Sequence, residues 1–206
     1  MMIWAFRQLA TPCNYLRIRH GSGVLTSKAV YDFVLPAILA GLTFGVAVLF
    51  DLPLDVLGNN DLFGALSGLL SILIGFYMAA LAAVATFDRA GIDNKLAGGD
   101  ALLSVRNTDG PGRKDKKLSY RQFISYLFGY ASFLSFLIYT VLLLSKSVWP
   151  KASAAIEALR FGNFAMTHVI EPASFALIFF FLWQLFLVSL LGIYFLAERI
   201  QELHES

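Results

Sequence analysis

Catalytic chemistry needs reactive side chains at defined spacings, and the chain offers one such pair. Arg199 and His204 are five positions apart, a spacing that in one class of ribonucleases places a phosphate-binding guanidinium and an acid–base imidazole on adjacent helix turns. Two fixed letters in six positions also arise by chance, and Ile200 stands where that class commonly has a polar residue. We therefore predict no enzymatic activity from this pair.

Metal and redox chemistry have even fewer candidate residues. Cys13 is the single cysteine, so the chain cannot build a disulfide framework of its own. There is no Cys-x-x-Cys motif and no cluster of cysteine and histidine, which argues against a structural zinc site. We expect neither a metal nor another cofactor.

A dense group of bases is the strongest candidate for a binding surface. The basic cluster comprises Arg113, Lys114, Lys116 and Lys117. Such a group can bind an acidic soluble protein or anionic lipid headgroups, and its alternative role is only to set the orientation of the chain in a membrane. Five aspartates occur in the same connection, 88–122, which argues against direct binding of nucleic acid.

The remaining candidates are small or polar residues inside apolar runs. Gly41 and Gly45 are four positions apart, as are Gly64 and Gly68, a spacing that lets helix backbones approach closely in lipid. Gln184 is the one strongly polar residue in the middle of a run, where it would form a hydrogen bond between helices or line a narrow pore in an oligomer. We expect most of these residues to pack the helices of one chain, and homo-oligomerisation is a secondary expectation.

Four long uncharged runs must position all of these residues. They are Phe33–Phe50, Leu62–Phe87, Phe123–Ser145 and Pro172–Ala197, and a helix needs about 20 apolar residues to cross the bilayer core. The chain is 58% hydrophobic and 15% charged, whereas soluble domains carry roughly 25% charged residues. The sequence therefore predicts an all-α polytopic membrane protein, a single membrane domain with four transmembrane helices over about 30–50, 62–87, 123–145 and 172–197.

The distribution of basic residues predicts which side of the membrane each connection faces. Of the 16 Lys and Arg residues, thirteen lie in the N-terminal segment, the connection 88–122 and the C-terminal tail, and three lie in the connection 146–171. The positive-inside rule then places both termini and the loop 88–122 in the cytoplasm. The connection 51–61 and the loop 146–171 are expected on the outer face.

Local patterns predict structure within the connections. Ala101–Val105 is expected to be a strand or a helical turn, followed by an exposed Gly/Pro-rich tip, and Ser119 is a plausible N-cap of the third helix. Ala152–Arg160 is predicted to be a short helix lying on the outer face. Met1–Arg19 is expected either to lie along the membrane surface or to be an irregular basic tail.

Two stretches that flank the central connection resemble a known family. They are Ala85–Asp93, with the sequence ATFDRAGID, and Leu118–Tyr130, with the sequence LSYRQFISYLFGY. With the four-run plan, they resemble the membrane subunit of Kiwa-type bacterial anti-phage defence systems. The resemblance implies a homo-oligomeric complex in the bacterial inner membrane that senses membrane disturbance at infection and holds a soluble, nucleic-acid-binding subunit on the cytoplasmic side. It assigns no role to any individual residue of this chain.

Two functional hypotheses are compatible with these patterns. The first is a non-enzymatic membrane scaffold or sensor subunit that recruits a soluble cytoplasmic protein, because a sizeable basic loop accompanies helices without catalytic residues. The alternative is a small oligomeric channel or pore-forming effector, which rests on the small-residue spacing and on Gln184.

Overall fold

The computed structural model describes residues 8, 11–19, 28–86, 92–94, 101–106, 112–159 and 161–199. Within them, four helices are long and apolar enough to cross a membrane. We name these span 1 (Val30–Leu49), span 2 (Asp61–Thr86), span 3 (Tyr120–Glu157) and span 4 (Gly162–Ala197). The predicted all-α class with four transmembrane helices is confirmed.

Large apolar side chains cover much of the outward surface of these helices. Leu42 is 61% exposed, Ile72 73% and Phe136 60%. Water would penalise apolar surface on this scale, whereas hydrocarbon tails cover it without such a penalty. The chain is therefore a multi-pass membrane protein.

Residues at the end of span 1 and at the start of span 2 satisfy backbone groups that would otherwise lack a hydrogen bond. Span 1 starts as the π-helix Val30–Val34 and continues as the α-helix Leu35–Leu49. It ends where Asp51 adopts a φ of 50° and the Leu52 N–H donates to the Ala47 carbonyl at 2.8 Å. The second α-helix, Asn60–Thr86, is capped by Asn59, whose side-chain oxygen accepts the N–H groups of residues 61 and 62, each at 3.1 Å.

Span 3 is longer than the sequence predicted. It is one α-helix of 38 residues, Tyr120–Glu157, and Ser119 caps it by accepting the Gln122 N–H at 3.3 Å, as expected. The separate helix predicted at Ala152–Arg160 is wrong as far as Glu157, because the same helix continues through Pro150. The polar groups that suggested an end have partners: Lys146 donates to the Leu57 carbonyl, and Ser153 donates to the Pro150 carbonyl at 3.3 Å.

Span 4 begins earlier than predicted. It comprises the α-helix Gly162–Ala165, the π-helix Met166–Ile170, the α-helix Glu171–Tyr194 and the start of the π-helix Phe195–Arg199. The segment 146–171 is therefore mostly helical, since only residues 158–161 separate the helices of spans 3 and 4, and its location on the outer face stays a prediction.

A small antiparallel sheet accompanies the helices. Its strands are β1 (Ile18–Arg19), β2 (Leu102–Arg106) and β3 (Arg113–Lys117), in the order β1-β2-β3. The strand alternative for Ala101–Val105 is confirmed. A 3-10 helix, Thr11–Arg17, leads into β1, so this part of the N-terminal segment is not an irregular tail, while residues 1–7 lie outside the described part.

The chain divides into two compact units. The first comprises Met1–Val34, Phe76–Phe133 and Phe186–Ser206, and contains the sheet. In its core the hydroxyl groups of Tyr77 and Ser189 are hydrogen bonded. Gly192 is buried, and a Cβ there would come within 2.8 Å of Cζ of Phe128, so spans 3 and 4 approach each other closely at this glycine.

The second unit comprises Leu35–Gly75 and Leu134–Leu185. Indole Nε1 of Trp183 donates to the Thr43 hydroxyl at 2.9 Å, which joins spans 4 and 1. The rings of Phe44 and Phe175 meet edge to face, with centroids 6.3 Å apart.

Candidate functional site: a basic edge strand and a buried ionic cluster

Strand β3 carries the whole basic cluster along one edge of the sheet. It pairs with β2 over five positions, and among the described residues no strand pairs with its other side. Lys114, Lys116 and Lys117 are exposed. Lys116 lies opposite Leu103, which is buried, and since side chains alternate along a strand, Lys114 shares this face and Lys117 takes the other. The cluster therefore presents positive charge on both faces of the edge.

Pairing with β2 holds the backbone of β3, and so fixes the positions from which its basic side chains extend. Alternate side chains on one face of a strand are separated by about 7 Å, so Lys114 and Lys116 form a regular pair. Asp115 is the only acidic residue within β3, which leaves a clear excess of positive charge on the strand. Lysines on an edge strand also discourage pairing with another sheet, a structural role that needs no partner.

A second group of charged residues is buried at the start of span 1. Lys28 and Asp32 form an ion pair one helical turn apart, with side chains only 8% and 2% exposed. The fully buried Tyr15 donates its hydroxyl to Asp32 Oδ1 at 3.3 Å, and the Lys28 ammonium lies 3.5 Å from the centre of the Tyr15 ring. The Tyr15 ring also stacks on Tyr130, with centroids 5.1 Å apart. We refer to Tyr15, Lys28, Asp32 and Tyr130 as the ionic cluster.

Burial determines the protonation of the two members that precede span 1. It raises the pKa of Tyr15 well above its ordinary value, and the adjacent Asp32 carboxylate raises it further, so the phenol stays protonated as a hydrogen-bond donor. Burial lowers the pKa of Lys28, and the Asp32 carboxylate opposes that shift by stabilising the ammonium form. Contact with Asp32 thus favours the charged form of Lys28, and burial opposes it.

Sequence reasoning missed this cluster. Asp32 lies at the edge of the first apolar run, and Lys28 is one of the basic residues of the N-terminal segment. The available signal was their spacing of four residues beside an apolar run, which places both side chains on one helix face. Ionisable groups at the edge of a span are costly to bury, which makes them functional candidates in membrane proteins. The contribution of Tyr15 had no sequence signal.

The glycines predicted to pack helices lie on outward surfaces. Gly41, Gly45, Gly64 and Gly68 are all exposed, and a Cβ at any of them would meet no atom within 4 Å in the part of the chain that the structure describes. The expectation that they pack the helices of one chain is therefore wrong for this conformation. Their surfaces remain available to lipid or to a second copy.

Gln184 is buried within the chain. The residue is 1% exposed and lies in the second unit. A pore at an axis between copies is lined by groups on the outer surface of each copy, and Gln184 is not one of them in this conformation. This burial counts against the pore-lining role in this conformation.

The other candidate residues from the sequence form no site in the described part of the chain. The Arg199 and His204 side chains lie outside the described part of the chain. Cys13 is partly exposed and is not in a disulfide. Within the described residues, no group of three or more His, Cys, Asp or Glu side chains is placed to hold a metal ion.

Comparison with known proteins adds no relative. No family model matches the chain, and no curated protein and no solved structure matches it. Functional inference therefore rests on the residues and their geometry.

Proposed function

We propose that this protein is a non-enzymatic scaffold or sensor subunit of a membrane complex, which recruits a soluble acidic partner through the basic cluster. The positive-inside rule places this surface in the cytoplasm, with both termini on the same side. The resemblance to the Kiwa-type membrane subunit supports a role in anti-phage defence at the bacterial inner membrane.

The observation that carries the recruiting role is the position of the basic cluster on an ordered edge strand. A flexible loop would lose conformational entropy on binding, whereas β3 is already held by its pairing with β2. Exposed lysines on both faces of the edge increase the rate of encounter with an acidic surface. These features favour a docking role over one limited to membrane orientation.

The ionic cluster supports the sensing role. Tyr15 and Lys28 precede span 1, and Asp32 lies in its first turn, so their contacts join the N-terminal segment to the membrane-crossing helix. A charge pair in a dry environment weakens when water reaches it, because the dielectric constant rises. A disturbance that hydrates this edge of the bilayer would therefore loosen the join.

The alternative of a channel has less support. It rests on the spacing of small residues and on Gln184, and Gln184 is buried within the chain. Exposed glycines alone are compatible with contacts between copies in any homo-oligomer.

The recruiting role can be tested by replacing Arg113, Lys114, Lys116 and Lys117 together with Gln. The tagged protein would be purified in mild detergent from its native host, and the recovery of soluble partner protein would be measured across a salt series. If each base contributes on the order of 1 kcal/mol, the substitution should weaken association by roughly a thousandfold. Raised salt should reproduce the loss with the unaltered protein, because exposed charges are screened.

A charge-keeping variant is the matched control. Replacing Lys114, Lys116 and Lys117 with Arg retains every positive charge and should retain the partner. Equal recovery with the Gln variant and the unaltered protein at every salt concentration, with equal expression, would show that the basic cluster serves only orientation.

A further inference from the structure

A cleft lies in the first unit, where β3 meets the start of span 3. Its volume is about 530 Å³. The residues of its wall include Lys116 from β3 and, from span 3, Arg121, Gln122, Ser125, Tyr126 and Gly129.

The wall contributed by span 3 is a single stripe of the helix. Gln122, Ser125, Tyr126 and Gly129 follow the i, i+3, i+4, i+7 spacing that places residues on one helix face. The Ser125 hydroxyl already donates to the Arg121 carbonyl at 2.8 Å. The Gln122 amide and the Tyr126 phenol are the other polar groups of this stripe, and both residues are partly exposed. A transmembrane helix that shows a polar stripe beside a cavity has the means to bind a polar ligand.

The charges at the mouth of the cleft favour an anion. Lys116 is exposed and has no ion pair with any residue in the described part of the chain. Arg121 bonds Asp93 through Nε at 3.0 Å and through one terminal nitrogen at 3.3 Å. No described residue bonds its other terminal nitrogen, which can therefore donate to a ligand. Asp93 is 72% exposed, so this ion pair is open to competition by a second anion.

Side chains must supply the hydrogen-bond donors to an anion, because the backbone N–H groups at the start of span 3 are already bonded. The backbone N–H groups of residues 120 and 121 donate to the carbonyls of Asn94 and Ile92. The next two N–H groups donate to the hydroxyl and the carbonyl of Ser119. All four N–H groups of the first turn are thus already satisfied.

The depth of the cleft indicates what kind of anion fits. Gly129 lies nine residues beyond Tyr120, about 13 Å along span 3. A Cβ at Gly129 would meet no atom of the described residues within 4 Å, so they leave the cleft open at this depth. The cationic end thus lies at the start of a membrane-spanning helix, and the neutral end lies within it.

We propose that this cleft binds the headgroup of an anionic phospholipid. Its phosphate contacts Lys116 and Arg121, its glycerol region lies beside Gln122 and Tyr126, and the start of its acyl chains passes Gly129. A soluble phosphate ligand shares the phosphate chemistry but has no group to occupy the space at Gly129. The proposal does not depend on the recruitment of a protein partner.

Native mass spectrometry of the purified full chain in mild detergent tests the proposal. Phosphatidylglycerol should remain bound under conditions that remove phosphatidylcholine. Arg121→Gln and Lys116→Gln should each weaken phosphatidylglycerol binding about fivefold, the contribution of one base near an anionic surface. Asp93→Asn removes the carboxylate that competes for Arg121 and should strengthen binding, a gain that misfolding cannot produce.

Gly129→Leu tests the depth of the site. The added side chain occupies the open space and should abolish binding of phosphatidylglycerol, while Gly75→Leu, a substitution at another exposed glycine whose Cβ would meet no atom within 4 Å, should leave it unchanged. Glycerol 3-phosphate and inorganic phosphate serve as soluble competitors and should displace the lipid poorly.

The outcomes separate the possible ligands and the two functional proposals. Strong displacement by inorganic phosphate, with binding insensitive to Gly129→Leu, would assign the cleft to a soluble phosphate compound and overturn the lipid proposal. Unchanged phosphatidylglycerol binding in Arg121→Gln, Asp93→Asn and Gly129→Leu would overturn the site itself. The Lys114→Gln/Lys117→Gln variant, which leaves the cleft intact, should keep the lipid, so a loss of partner recovery in that variant concerns the recruiting role alone.

Discussion

At the scale of single residues, the costliest feature of the protein is the buried pair of Lys28 and Asp32. Desolvating two charges requires several kcal/mol per ion, and their mutual attraction repays this only with good hydrogen-bonding geometry. Tyr15 supplies part of that geometry by donating to Asp32 and by lying under the Lys28 ammonium. Loss of either charged partner would leave the other buried and uncompensated.

Substitution of this pair should therefore be non-additive. We expect Asp32→Leu to lower the free energy of unfolding by about 3–5 kcal/mol, because it strands Lys28. The double variant Lys28→Met/Asp32→Leu should recover most of that loss, since no isolated charge remains. Thermal unfolding in mild detergent measures the stability of both variants.

Asp61→Leu, which removes an exposed acid in the first turn of span 2, is the control and should change stability by no more than about 1 kcal/mol. Equal destabilisation by the single and double variants would contradict the coupling.

At the scale of elements, the three-stranded sheet turns a charged connection into an ordered surface. Ile18 lies opposite Leu103, and Leu103 lies opposite Lys116, so one face of the sheet is anchored by two buried apolar residues. The Lys116 side chain is exposed, and its position is set by the backbone hydrogen bonds between β2 and β3. The basic cluster is thus held in place by apolar residues on the neighbouring strands.

Loss of the apolar anchor should loosen the whole sheet. We expect Leu103→Ala to destabilise the sheet by about 2–5 kcal/mol, the usual effect of truncating a buried leucine, and to lower the hydrogen-exchange protection of β2 and β3 together. Leu102→Ala is the matched control, because Leu102 is partly exposed on the opposite face and should cost less. Unchanged exchange in β3 of the Leu103 variant would show that the edge strand does not depend on this anchor.

At the scale of the whole molecule, the asymmetry of basic residues predicts an orientation for the four spans. Span 3, with 38 residues, is about 57 Å long, which exceeds the roughly 30 Å hydrocarbon core. Part of this helix must therefore tilt within the bilayer or extend beyond its core. Its C-terminal part carries Lys146, Lys151 and Pro150, so we expect the extension on the outer side.

Reporter fusions test this orientation. Fusions after Gly58 and after Leu159 should report the outer side, and a fusion after Gly110 should report the cytoplasm, because the basic residues are concentrated on the side of Gly110. The measurement is the activity of a paired periplasmic and cytoplasmic reporter at each position. An outer-side signal at Gly110 would overturn the orientation and the cytoplasmic recruiting role together.

The sequence by itself determined the class of the protein and the number of its spans. Apolar run length decides both, since any helix of about 20 apolar residues is more stable in hydrocarbon than in water whatever its neighbours are. The N-cap at Ser119 was also predictable, because capping depends on adjacent residues. The basic cluster was visible as a charge pattern without knowledge of the fold.

Only the tertiary structure decided how those parts are used. Span 3 continues through Pro150, and Lys146 within it donates to the Leu57 carbonyl, 89 residues away in sequence. The ionic cluster depends on Tyr15 and Tyr130, which no local pattern connects to Asp32. The sheet edge depends on pairing between segments far apart in the chain. Contacts of this kind have energies set by burial and geometry in three dimensions, and residue order alone does not specify which distant groups meet.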